Sequence, residues 1–209
     1  MARITGTEET GCIPPKVLLL YQAVNQLLAE GADPANLKVS TITDRAGIGK
    51  GTAYEYFDSK EEIVTHAVVY QMQTAMEQLE KELLARKSFR DQLNYLLDEV
   101  SAQKGESNCF LKLVHLLTDN SQFSRQVQEI LDSATCERYR LIRLFRKLLG
   151  SAVERGEVKG NLPLDYMVFS MGGRVLAYMV AITGGDLQIE IPRMRKLVYE
   201  GILAEFCPA

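Results

Sequence analysis

The sequence predicts an all-α protein: an N-terminal head of three helices built around a helix-turn-helix, followed by a larger C-terminal helical domain. Three observations carry that expectation. Apolar residues recur at spacings of three and four in one segment after another, and no stretch reads convincingly as a strand. Prolines and glycines fall where those segments begin and end. Near residue 47, two very short helical stretches meet at a glycine-containing turn, the pattern of a helix-turn-helix. A length of 209 residues, against about 150 per domain, allows one large or two small domains. The division is expected after residue 60, giving a head of 1–60 and a domain of 61–209.

The elements follow in order. After Pro14-Pro15, the residues Val17, Leu20, Tyr21, Val24, Leu27 and Leu28 fall on one helix face, and Gly31 stands where that helix would stop. A short loop, Asp33-Pro34-Ala35-Asn36, comes next. Val39, Ile42 and Ala46 make the inner face of a first short helix that stops at Gly47. Gly49 can cap a second one over 50–57, whose Ala53 and Phe57 pack inward. Ser59-Lys60-Glu61-Glu62 is a capping-box signature, with Ser59 capping and Glu62 reaching back. It opens a long helix with Val64, Val68, Met72, Ala75, Leu79 and Leu83 on one face. Further helices are expected over 88–103, 108–118, 122 to about 155, 163–183 and 192–206.

Composition excludes several classes. Apolar residues make up 46% and charged residues 24%, ordinary globular values that exclude disordered and collagen-like chains. The first twelve residues hold one basic and two acidic side chains and no apolar run, so they do not read as a secretory signal. Cysteines at 12, 109, 136 and 207 are too widely spaced for a metal site or a disulfide framework, which fits a reducing cytoplasm. The apolar stretch 166–182 is interrupted by Gly172, Gly173 and Arg174 and is short for a membrane span. It is expected to be a buried helix, with no membrane partner. The two histidines, His66 and His115, stand in no HExxH arrangement, and GxSxG, P-loop and GxGxxG are absent. No catalytic residue, cofactor or metal is expected.

Charge excludes a bulk electrostatic grip on nucleic acid, since 24 basic residues face 27 acidic ones for a net of −3. A site-specific reader of DNA is compatible with that total, because there the placement of each charge decides. On the second short helix, Lys50, Gly51 and Tyr54 form a face roughly opposite Ala53 and Phe57. Glycine at 51 lets the backbone approach a groove closely, and Lys50 can reach a guanine edge or a phosphate. Tyr54, Tyr56 and Thr52 offer hydroxyls to phosphate, and Lys60 is placed at the next helix start to clamp the DNA backbone. Residues 36–60 carry Lys38, Arg45, Lys50 and Lys60 against Asp44, Glu55 and Asp58, a local balance of +1. Binding to DNA should therefore fall with salt along a shallow slope.

Ala46-Gly47-Ile48, Gly51-Thr52, Tyr54-x-Tyr56-Phe57 and Ser59-Lys60-Glu61-Glu62-Ile63, in that order, resemble the DNA-binding head of the TetR family of bacterial transcriptional regulators. Three features depart from the family pattern. Lys38 stands where Ser or Thr usually caps the first short helix, Thr43 replaces an alanine, and the loop after Gly31 is about two residues longer. The resemblance implies DNA contact by Ser40, Lys50, Gly51, Thr52, Tyr54, Tyr56 and Lys60. It also implies a homodimer that binds a double-stranded, palindromic operator, and a small-molecule effector of unknown identity in the C-terminal domain. Repression rather than activation is the family habit. Control by a protein partner without an effector is the alternative; a helical enzyme and a scaffold without DNA binding also stay open.

The remaining two thirds resembles the family in organisation only. In the penultimate helix Ser170, Gly173, Ala177 and Ala181 form a stripe of small side chains that suits the family's dimer interface, or an intramolecular contact. Arg174 is a charge inside this apolar helix and needs a partner if buried. An ion pair, partial exposure and an anchor for an anionic effector are its three readings. His115, Phe169 and Tyr178 are the other candidate effector contacts, with a core role as the alternative for each. The run Arg138, Arg140, Arg143, Arg146 and Lys147 interleaves with Leu141, Leu144, Phe145 and Leu148, which favours the solvated side of an amphipathic helix.

Overall fold

The computed structural model describes residues 13–102, 122–131, 141–184 and 188–208. Among them the chain forms nine α-helices and no strand. It divides into two compact units, residues 1–75 with 112–138, and residues 76–111 with 139–209.

The first unit holds α1 (Pro15–Ala29), α2 (Val39–Ala46), α3 (Lys50–Tyr56) and the beginning of α4 (Lys60–Leu84). Proline at the first position of α1 loses no helical hydrogen bond there, because that N–H has no partner within a helix. The loop after α1 closes into a single 3-10 turn, Pro34–Asn36, whose free ends are tied by the Asp33 carboxylate. That carboxylate accepts from the Ala35 N–H at 2.9 Å and from Asn36 Nδ2 at 2.5 Å. Lys38 precedes α2 without a side-chain cap. Thr43 is buried, and its hydroxyl donates to the Ser40 carbonyl at 3.1 Å.

Gly47 ends α2 in the left-handed region at φ 68°. Its N–H donates to the Asp44 carbonyl and that of Ile48 to the Thr43 carbonyl, which turns the chain sharply into α3. Tyr21, Ile42, Ala53, Phe57 and Ile63 form the centre of the head. The Tyr21 ring lies 6.1 Å from that of Phe57 and 5.3 Å from that of Tyr70, and His66 meets Phe57 edge-on at 5.7 Å. Each such large side chain removed from water contributes about 1.5–3 kcal/mol. Asn25 donates to the Ala67 carbonyl at 3.4 Å, tying α1 to α4.

α4 starts with the capping box displaced by one residue. Ser59 Oγ accepts the Glu62 N–H at 3.1 Å as expected, but the Glu62 carboxylate accepts from the N–H of Asp58 at 2.6 Å. The helix then runs 25 residues, through the boundary between the two units at 75/76.

The second unit holds the end of α4, α5 (Phe89–Ala102), α7 (Leu141–Glu154), α8 (Leu164–Gly184) and α9 (Ile191–Phe206). α6 (Gln122–Leu131) is assigned to the first unit. Of the helix expected from 122 to about 155, the stretches 122–131 and 141–154 are helical. Residues 132–140, and the helix expected over 108–118, lie outside the described residues. Buried Gln92 reaches the carbonyls of Leu83 and Arg86, both at 3.2 Å, and so caps the end of α4. Ser88 caps α5 through the Asp91 N–H at 3.1 Å, while the Phe89 N–H donates to Glu157. Phe89, Leu96, Phe145, Leu149, Met171, Val175 and Phe206 form the interior of this unit. On α7, Leu144, Phe145 and Leu148 are buried, while Arg146 pairs with Asp165 and Lys147 with Glu80. The described part of the basic run is therefore the outer side of an amphipathic helix. No helix among the described residues is long and apolar enough to cross a membrane.

Candidate nucleic-acid interface

α3 has two unlike sides. Ala53, Tyr56 and Phe57 are buried in the head, while Lys50, Gly51, Tyr54 and Glu55 are exposed. Tyr54 is 53% exposed, an unusual position for an aromatic ring that has no role in the head's own packing. A Cβ added to Gly51 would meet nothing within 4 Å. Glycine in a helix interior costs about 1 kcal/mol relative to alanine, and neither space nor backbone angle in this protomer demands it. The expected face of Lys50, Gly51 and Tyr54 is thus brought together and points outward. Thr52 and Ser40 are half-buried beside it.

Tyr56 departs from its expectation. It is only 5% exposed and packs in the core of the head, because it lies three residues after Ala53 and next to Phe57 on the inward side. Its ring is not offered to a duplex as that of Tyr54 is.

The cations are also differently engaged. Lys60 donates to the Ala35 carbonyl at 2.7 Å and pairs with Glu61 at 3.1 Å, strapping the 3-10 turn to the start of α4. The Glu61 carboxyl is held below its ordinary range by its own backbone N–H first, and then by Lys60. An ammonium has three donors, so a third stays available to a phosphate. Arg45 grips Glu30 with both arms of its fork, at 2.7 and 2.8 Å. That hydrogen bonding lowers the Glu30 carboxyl and spends the Arg45 charge inside the head. Lys38 and Lys50 remain exposed.

In the second unit, Tyr178 is 2% exposed and its hydroxyl meets Ser101 Oγ at 2.7 Å. Phe169 stands on the opposite side of α8, 78% exposed, and does not share an environment with Tyr178. Gly173 and Ala177 are exposed on the same side as Phe169, whereas Ser170 and Ala181 are half-buried at its flank. The small-residue stripe thus runs along one edge of that exposed side. Arg174 has its partner within the protomer: Nη2 lies 2.5 Å from Glu205 Oε2. Of its three readings, the intramolecular ion pair and partial exposure are both present, the side chain being 39% exposed. His115 lies outside the described residues.

Residues 21–67 match the family described as bacterial regulatory proteins, tetR family. That match spans the head, from within α1 to the first turns of α4. Over 150 residues it is 23% identical to the fatty acid metabolism regulator protein of Bacillus subtilis strain 168, covering 71% of this chain and 73% of that protein. In structure it is similar to the transcriptional regulator FadR from Bacillus subtilis solved with stearoyl-CoA. There the TM-score is 0.63 at 20% identity, over 90% of this chain and 97% of that one. It is also similar to reduced NemR of E. coli, with a TM-score of 0.66 at 14% identity, over 93% and 99% of the two chains.

One residue, Glu205, escaped sequence reasoning. Glu205 accepts from Arg174, from Ser170 Oγ at 3.2 Å and from the Tyr166 hydroxyl. Arg174 announced that a partner was needed, but an acceptor 31 residues away on another helix leaves no local spacing to read. The available signal was an acid at 205 within the apolar run Ile202, Leu203 and Phe206.

Proposed function

We propose that the protein is a ligand-responsive transcriptional repressor that binds a palindromic operator as a homodimer. Residues 1–60 supply the DNA-binding head, and residues 61–209 supply effector binding and dimerisation. One observation carries the reading of the head: Lys50, Gly51 and Tyr54 form an outward row that the head's own packing does not use. A glycine between a cation and an exposed tyrosine lets a helix lie close in the major groove, with Lys50 on a base edge or phosphate and Tyr54 on a phosphate. Ser40, Thr52 and Lys60 flank that row and position the backbone.

The outer side of α8 and α9 supports the homodimer. Tyr166, Phe169, Leu176 and Val180 of α8 and Leu197 of α9 are exposed apolar side chains. Gly173 and Ala177 lie among them, and a Cβ added at Gly173 meets nothing within 4 Å. Such a face excludes water when it meets its own copy about a two-fold axis. Phe169 belongs to this surface rather than to an effector site.

Ligand control requires an effector that binds one head spacing better than the other. The likeness to a fatty acid metabolism regulator, and to FadR holding stearoyl-CoA, makes a long-chain acyl-CoA the first effector to try. Nuclease footprinting on the DNA upstream of the protein's own coding region tests the whole reading. Two half-sites in inverted repeat, centred about one helical turn or a multiple apart, are expected. A single one-sided footprint, or none, contradicts it.

A further inference from the structure

The apolar outer side of α8 and α9 contains a charged pair along its seam. Arg174 is the only charged residue from 166 to 184, and Glu205 stands in the last turn of α9 beside buried Ile202, Leu203 and Phe206. We propose that Tyr166, Ser170 and Arg174 form a charge-cancelling clasp on Glu205 that determines whether this face can pair with a second copy of the chain. The inference rests on the dimer reading above and names the residues that govern it.

Tyr166, Ser170 and Arg174 are spaced four apart along α8, so all three approach the same carboxylate. Arg174 Nη2 is 2.5 Å from Oε2, and Ser170 Oγ is 3.2 Å from both oxygens. The Tyr166 hydroxyl adds a further hydrogen bond, which pushes that phenol above its ordinary range. Gly201 of α9 lies beside the guanidinium, where a Cβ would be in ordinary contact with Arg174 Nη1 at 3.5 Å.

A two-fold interface repeats every group it contains, so a single uncompensated carboxylate becomes two in one shared apolar surface. Stripping both of water without a cation costs far more than burying a neutral pair. The clasp cancels the charge inside each protomer before the copies meet. The last turn of α9 does not depend on the clasp for its place. The Lys159 N–H donates to the Phe206 carbonyl at 2.7 Å, and the Lys159 ammonium lies 3.4 Å from the Glu205 carbonyl.

Sedimentation equilibrium on the full chain, with thermal unfolding in parallel, tests this for wild type, Arg174→Met, Glu205→Gln, the double variant and Arg174→Lys. Each neutralising single variant leaves one charge alone and should weaken the dimer by roughly thirty-fold or more. The double variant should recover to within about threefold of wild type, because both partners are then uncharged. Arg174→Lys keeps the cation and should stay dimeric. Singles that dimerise like wild type, or a double variant as weak as the singles, overturn the clasp alone. A wild-type chain that stays monomeric overturns the dimer reading, and the clasp with it.

Discussion

At the residue scale, two glycines of the head separate folding from binding. Gly47 holds φ 68° at the end of α2, a conformation that costs an L side chain of order 1–3 kcal/mol when no special contact offsets it. Gly51 has an ordinary helical backbone and open space around it. Gly47→Ala is therefore expected to lower the unfolding free energy by about 1 kcal/mol or more. Gly51→Ala should leave stability unchanged or raise it by about 0.5–1 kcal/mol, yet weaken DNA binding at least about tenfold by adding bulk where helix meets groove. Thermal melts and fluorescence anisotropy on the two variants check this. A Gly51→Ala protein that binds like wild type removes the close-approach argument. Residue spacing made the Lys50, Gly51 and Tyr54 face legible in the sequence, because all three lie on one short helix. It was less informative for Tyr56, whose position near the inward side matters more than its hydroxyl chemistry. Spacing also gave no warning that Arg45 is engaged by Glu30, since that pair joins two helices.

At the element scale, helix ends carry much of the local stability. The Glu157 carboxylate connects Arg155 to the first turn of α5, where it accepts the Phe89 N–H. The Arg155 hydrogen bond, and secondarily that of Phe89, hold this carboxyl below its ordinary 4.5. A carboxyl lowered in the folded state contributes stability above its unfolded value and loses it as pH falls through the folded value. Unfolding followed in acid should therefore show the stability supplied by Glu157 fading below about pH 4.5. Glu157→Gln should give a shallower pH dependence in that window, and identical slopes would contradict the assignment. The helices themselves were largely legible, since α1 to α5, α8 and α9 follow the apolar periodicity to within a few residues at each end, and α7 ends at the expected place. Helical spacing persists through 122–155, and periodicity alone says nothing of which compact unit each stretch joins.

At the scale of the whole molecule, the acidic total says little about the partner. The net −3 falls entirely within residues 1–62, which hold 6 basic and 9 acidic residues, so the segment that carries the proposed DNA-binding head is not basic. Pairing of Arg45 with Glu30 reduces the positive charge on offer still further. Recognition must then depend on a few placed groups, and in the proposed dimer on two heads acting together, so the salt dependence should be shallow. The proposed dimer face includes Gly173 and Ala177 of the small-residue stripe. Its full extent, with Tyr166, Phe169, Leu176 and Val180 outward, required knowing which side of α8 the rest of the unit covers. The central claim is that α3 reads DNA through its outward row. Equilibrium titration of wild type and Lys50→Ala against a duplex from the upstream region, over a series of salt concentrations, tests it most directly. Wild type should bind that duplex specifically at low salt, and Lys50→Ala should bind more weakly with a slope reduced by about one per head. No specific binding by wild type at low salt, or equal affinity and slope for the two proteins, would contradict it.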